Sequence, residues 1–147
     1  MLFQVFTGGF VCLINFAIHI FTTGALIVVT RHIAGRTDDL HVFLRLSALQ
    51  MITLCVLAAA HLAEIGVWAG FLTLMGVTIP HVTNFEFAFE NYTALGYGDV
   101  VAGEGWRLIG PIMALNGLLL VGISVAIIFE VMKLANVQIG EHRKRSR

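Results

Sequence analysis

The chain has 147 residues, 58% of them hydrophobic and 12% charged, with a formal net charge of zero and a mean hydropathy of +0.88. That profile lies far from the average soluble domain and close to an integral membrane protein, with a single membrane domain over residues 1–147 as the natural count. The lipid bilayer and further copies of the chain are the expected partners, and neither nucleic acid nor a small-molecule substrate is expected.

Met1-Leu2-Phe3-Gln4-Val5-Phe6 has no basic residue ahead of its apolar run and no small-residue cleavage pattern, so a retained helix is expected and not a signal peptide. From Phe10 to Thr30 the chain is nearly free of charge over about twenty residues, enough at 1.5 Å per residue to cross a hydrocarbon core. Arg31 closes this first span, which occupies 1–32 and lacks the arginine periodicity of a voltage sensor. His19, alone in it, reads as packing. Cys12 and Cys55 fall inside apolar runs and read as small buried hydrophobes.

The second span runs from Leu46 to about Met75 and is long enough to tilt or project from the bilayer. Inside it His61 and Glu64 share a face one turn apart. An ionisable pair at membrane depth is a functional candidate, as a structural pair bonded to the pore segment or as a pH sensor. Two such residues do not make a metal site. Trp68 and Trp106 read as interfacial anchors.

Val77 to Arg107 is too polar and too broken by glycine to cross as a helix, and is expected to dip in and return. Thr83 followed by Glu86 fits a capping box that starts a helix at Asn84. Ending at Thr93 or Ala94, this helix would be about 16 Å long, too short to span. Phe85, Phe87 and Phe89 alternate with Glu86, Ala88 and Glu90 at a strand period; the helix is preferred because a lone strand edge in lipid leaves its backbone unsatisfied.

Gly96-Tyr97-Gly98-Asp99 follows. A pore that strips water from a cation must replace the hydration shell with rings of carbonyl oxygens, and aiming successive carbonyls at one axis forces some residues to φ > 0, which glycine tolerates. The third span, Leu108 to Leu134, should line the pore. It contains Asn116-Gly117 and Gly122, glycines of the kind that let membrane helices pack closely. Glu130, a turn before Lys133, forms an ion pair or lines an acidic inner vestibule. A basic tail, 135–147, follows the third span, and no cytoplasmic ligand-binding domain is expected.

From Leu46 to Leu134 the chain resembles the pore domain of the potassium-channel superfamily: Thr93-Ala94-Leu95-Gly96-Tyr97-Gly98-Asp99 stands where that family has Thr-Thr-Val-Gly-Tyr-Gly-Asp. A chance Gly-Tyr-Gly-Asp in a chain of this length has a probability on the order of 10⁻³. The resemblance implies an all-α membrane protein in which a re-entrant pore helix and filter loop lie between helices two and three, four copies meeting around the axis as a homotetramer. The first span is additional to the minimal pore.

The resemblance also implies a filter of Thr93, Ala94, Leu95, Gly96, Tyr97 and Gly98. Carbonyls of Ala94, Leu95, Gly96 and Tyr97 would hold K+, which is the permeant ion and not a cofactor; no cofactor is expected. Glu90 and Asp99 would support the filter as a carboxyl pair, and Gly117, Gly122 and Glu130 are gating candidates. Ala94 replaces a threonine whose hydroxyl would complete the innermost ion site, and Leu95 replaces valine behind the filter.

Arg31, Arg36 and Arg45 in the first loop, and Lys133, Arg143, Lys144, Arg145 and Arg147 in the tail, outnumber the single Arg107 before the third span. The positive-inside bias puts the N-terminus and filter loop outside and the tail in the cytoplasm. Compactness suggests a bacterial inner membrane. Glu86, Glu90, Asp99 and Glu104 against Arg107 leave a formal −3 per chain, which should concentrate cations at the mouth. The expected function is a potassium-selective channel with passive flux. Alternatives are a weakly selective cation channel, a non-conducting regulatory subunit, or a proton-coupled transporter using His61 and Glu64. An enzyme is not expected, since no Ser/His/Asp set, metal cluster or phosphate loop is visible.

Overall fold

A computed structural model describes the backbone of residues 2–34, 42–98 and 100–145. These residues form four helices in chain order: α1 (Leu2–Ala34), α2 (Val42–Leu74), α3 (Asn84–Tyr92) and α4 (Ile109–Arg145). Three carry stretches long and apolar enough to cross a membrane, at Leu2–His32, Leu46–Leu74 and Ile109–Leu134. This is an all-α, multi-pass membrane protein.

α1 extends beyond both ends of the charge-free run from Phe10 to Thr30, from Leu2 to Ala34. Gln4, which interrupts the apolar start, is buried. Its amide nitrogen donates to the Gly105 carbonyl, and its Oε1 accepts from the Leu108 amide at 3.1 Å. The polar side chain is thereby satisfied inside the helical run and ties the N-terminal turn of α1 to the approach of α4. α4 is also longer than expected, its helical backbone continuing through the basic segment to Arg145.

α2 stops where Gly76 takes φ 62°. The Gly76 amide bonds the Thr73 carbonyl at 3.1 Å and the Val77 amide bonds the Leu72 carbonyl at 3.0 Å, a Schellman turn that satisfies two helix-end carbonyls. α3 then begins as its capping box predicts. The Thr83 hydroxyl accepts from the Glu86 amide at 3.1 Å, while the Thr83 amide and hydroxyl both donate to the Glu86 carboxylate at 2.7 Å. Those two donors hold the Glu86 carboxyl below its ordinary range.

The alternating phenylalanines resolve as a helix. Phe87 is buried, while Phe85 and Phe89, four apart, pair on the outer face at 6.2 Å between centroids. α3 packs on α2 and α4 through Phe87, Ala88 and Tyr92, and the core continues through Trp68, Leu72, Ile109, Met113 and Leu120. α1 packs against both α2 and α4, and Gly8 lets it approach Ile112 closely. Much of the outer surface of the long helices is apolar, as expected of helices facing lipid.

Trp68 is not an interfacial anchor. It is 0% exposed and its indole N–H donates to Asn116 Oδ1 at 3.0 Å, a bond between α2 and α4. Trp106 lies partly buried in an aromatic edge-to-face chain with Phe3 and Phe71.

Candidate functional site: a glycine-broken segment and a buried polar cluster

α3 ends in a second Schellman turn. The Ala94 amide bonds the Asn91 carbonyl at 2.9 Å and the Leu95 amide bonds the Glu90 carbonyl at 3.1 Å. Glycine is the usual residue at the left-handed position of this turn, and Gly76 supplies it at the end of α2. Here Ala94 takes it at φ 55°, at a cost of about 1–2 kcal/mol relative to ordinary helical backbone. Ala94 is therefore the residue that turns the chain out of the helix.

Beyond it, Gly96 at φ 46° and Gly98 at φ 81° extend an alternation in which every second residue from 94 to 98 is left-handed. Thr93 to Gly98 are all exposed on the single chain, including the large side chains of Leu95 (57%) and Tyr97 (75%). The Thr93 hydroxyl turns back to the carbonyls of Phe89 and Glu90, at 2.9 and 3.1 Å.

Glu90 reaches from the last turn of α3 to accept the Tyr97 amide at 2.8 Å. A carboxylate bond to a backbone N–H is charge-assisted and stronger than its neutral counterpart. The expected pairing of Glu90 with Asp99 cannot be placed, because Asp99 lies outside the described residues.

Gly117 of α4 lies against Tyr92, the last residue of α3. A Cβ there would overlap the Tyr92 carbonyl oxygen and stand 2.8 Å from the carbonyl carbon. Only glycine lets α4 come this close to the last residue of α3. Around Gly122 nothing lies within 4 Å of such a Cβ. Among the described residues Glu130 and Lys133 form no ion pair.

Near the middle of the long helices, polar groups from all four helices meet. His61 and Glu64 contact one another as their spacing suggests, with His61 Nδ1 3.1 Å from Glu64 Oε2. The expectation that His19 merely packs is overturned: fully buried, it sets Nδ1 2.8 Å from Glu64 Oε1. The Tyr92 hydroxyl, at the end of α3, donates to Glu64 Oε2 and lies 2.7 Å from His61 Nδ1. Ser124 of α4 touches both imidazoles on their other nitrogens, at 2.9 Å from His61 Nε2 and 3.3 Å from His19 Nε2.

A second layer adjoins this one. Asn15 Nδ2 donates to Asn116 Oδ1 at 2.9 Å and to the Glu64 carbonyl at 3.3 Å, while Asn15 Oδ1 and Asn116 Nδ2 find no partner among the described residues. Sequence reasoning missed His19, Asn15, Tyr92 and Ser124 as members. A signal existed: each spanning helix carries isolated polar residues near its midpoint.

The fold and these features define a membrane protein with a glycine-broken, exposed segment poised between two spanning helices. Residues 60–133, half of the chain, match the family Ion_trans_2, described as ion channel, and the chain belongs to that family. Comparison with curated proteins and with solved structures gives no significant match. The matched stretch begins within α2 and includes α3, the glycine-broken segment after it and most of α4, leaving α1 outside it.

Proposed function

We propose that the chain is one quarter of a potassium-selective channel in which four copies bring Ala94, Leu95, Gly96 and Tyr97 to a common axis, their carbonyls replacing the hydration shell of K+. The observation that carries this is the alternating left-handed backbone at 94, 96 and 98 in a segment wholly exposed on one chain. A backbone of this kind needs further copies to close a ring of oxygens. An apolar hollow of about 260 Å³ between α3 and the filter segment, lined by Phe85, Phe89, Leu95 and Tyr97 with Glu86 and Glu90, offers a seat for a neighbouring copy.

Glu90 supports the filter by holding the Tyr97 amide from behind. Flux is passive, the N-terminus and filter loop face outside, and the C-terminus is cytoplasmic, in keeping with the arginine and lysine bias. Gly117 acts through packing against α3, while Gly122, with open space around it, is the freer of the two gating candidates. Glu130, near the cytoplasmic end of the apolar stretch, adds acidity to the inner mouth.

A second reading, a weakly selective cation channel, is favoured by one feature. Ala94 has no hydroxyl to offer at the innermost site, and the neighbouring Thr93 hydroxyl is committed to the carbonyls of α3. Reversal potentials in mixed potassium and sodium separate the two readings. Chemical crosslinking of purified protein tests the assembly: a four-chain species supports the ring, and a species that stops at two chains refutes it.

A further inference from the structure

We propose that His19, His61 and Glu64 form a binding site for a divalent transition-metal ion of the zinc class, which ties α1 to the channel module. One ligand atom from each residue lies within 4.8 Å of the others. In a tetrahedral zinc site with bonds of 2.0–2.2 Å, ligand atoms stand about 3.3 Å apart. His19 Nδ1 lies 2.8 Å from Glu64 Oε1 and His61 Nδ1 lies 3.1 Å from Glu64 Oε2, so the two rings flank opposite oxygens of one carboxylate, and an ion between the rings would draw on either oxygen or on both. Two imidazoles with one carboxylate favour zinc, copper or nickel over the hard cations that carbonyl oxygens select. Tyr92 and solvent compete for the fourth position, and the 19% exposure of the His61 side chain leaves an access route.

The outer nitrogens supply an independent argument. If both rings donate through Nδ1 to Glu64 as neutral imidazoles, both Nε2 atoms become acceptors facing Ser124, whose single O–H serves only one. One buried ring nitrogen then lacks a partner. With a metal on both Nδ1 atoms, both Nε2 atoms carry hydrogen, and the two lone pairs of Ser124 Oγ accept both. An outer partner that fixes the ring tautomer is the usual second layer of a metal-bound histidine. Two arrangements without a metal meet the same count: one additional proton that makes one ring an imidazolium, or the Tyr92 hydroxyl turned to donate to His61 Nδ1, 2.7 Å away, which leaves His61 Nε2–H for Ser124 and the Ser124 hydroxyl for His19.

The test uses the full chain, purified in detergent, stripped with a chelator and titrated with Co2+ and then Zn2+. We expect one Co2+ per chain with the intense visible absorption of tetrahedral cobalt, bleached by Zn2+. His19→Gln, which keeps hydrogen-bonding groups but is a poor ligand, should lose the band. Ser124→Ala, which keeps all three ligands, should weaken affinity about 10- to 100-fold. A variant lacking the exposed His32 and His81 should bind as the wild type does. A wild-type chain without the band, or a band that survives His19→Gln, overturns the proposal. Should His19→Gln fail to fold, Ser124→Ala decides: unchanged affinity refutes the role of the outer nitrogens.

Discussion

Replacing Gly117 with alanine tests how the end of α3, and with it the proposed filter, is held. The added methyl overlaps the Tyr92 carbonyl oxygen, and the carbonyl carbon at 2.8 Å must retreat to the 3.4 Å at which ordinary contact begins, with the Tyr92 ring atom Cδ1 at 3.1 Å also crowded. The obstruction is backbone, so no side-chain rotation relieves it. Overpacking of this kind costs about 1–3 kcal/mol, and the clash places it at the upper end. Alanine regains up to about 1 kcal/mol of helix propensity, leaving a net loss of about 2 kcal/mol. The retreat moves the residue that bonds Glu64 and immediately precedes the filter. Thermal unfolding in detergent and potassium efflux from liposomes should therefore both suffer. Gly122→Ala, with open space around it, should be neutral or slightly stabilising. A Gly117→Ala protein with wild-type unfolding midpoint and efflux would refute the reasoning.

Glu90→Gln exchanges a charge-assisted bond to the Tyr97 amide for a neutral one, and should weaken potassium-dependent protection of the folded protein and hasten loss of current in planar bilayers; unchanged values remove Glu90 from filter support. Ala94→Gly relieves a left-handed alanine and should stabilise the chain by about 1 kcal/mol, read as a higher unfolding midpoint. The Glu86 carboxyl, held below its ordinary 4.5 by the Thr83 amide and hydroxyl, contributes stability above the unfolded value that is lost as pH falls through the lower folded one. Between neutral pH and about pH 3, Glu86→Gln should flatten the decline in unfolding midpoint seen in the wild type.

Local signals carried much of the architecture. Three apolar runs became three long helices, and Thr83 with Glu86 became the observed cap of α3, because helix propagation and capping are decided by neighbours in sequence. The strand-like spacing of Phe85, Phe87 and Phe89 gave way to the helix once α2 and α4 could bury Phe87 and leave the other two outside. The buried cluster was only half legible. His61 and Glu64 are three apart on one helix, so their contact follows from spacing, but His19, Tyr92 and Ser124 join them through helix packing that no local pattern encodes. Trp68 was misread for the same reason, since its partner Asn116 is distant in sequence. Gln4 shows how a polar residue can extend a helix when a loop far along the chain supplies its partners.

The central claim is that backbone oxygens of neighbouring copies conduct dehydrated K+. Its most direct test is the reversal potential of wild-type protein reconstituted in bilayers between unequal potassium and sodium solutions. The account predicts a current that reverses near the potassium equilibrium potential and disappears in Gly96→Ala, where a left-handed glycine is removed. Absence of current, or a reversal potential indifferent to the potassium gradient, would contradict it.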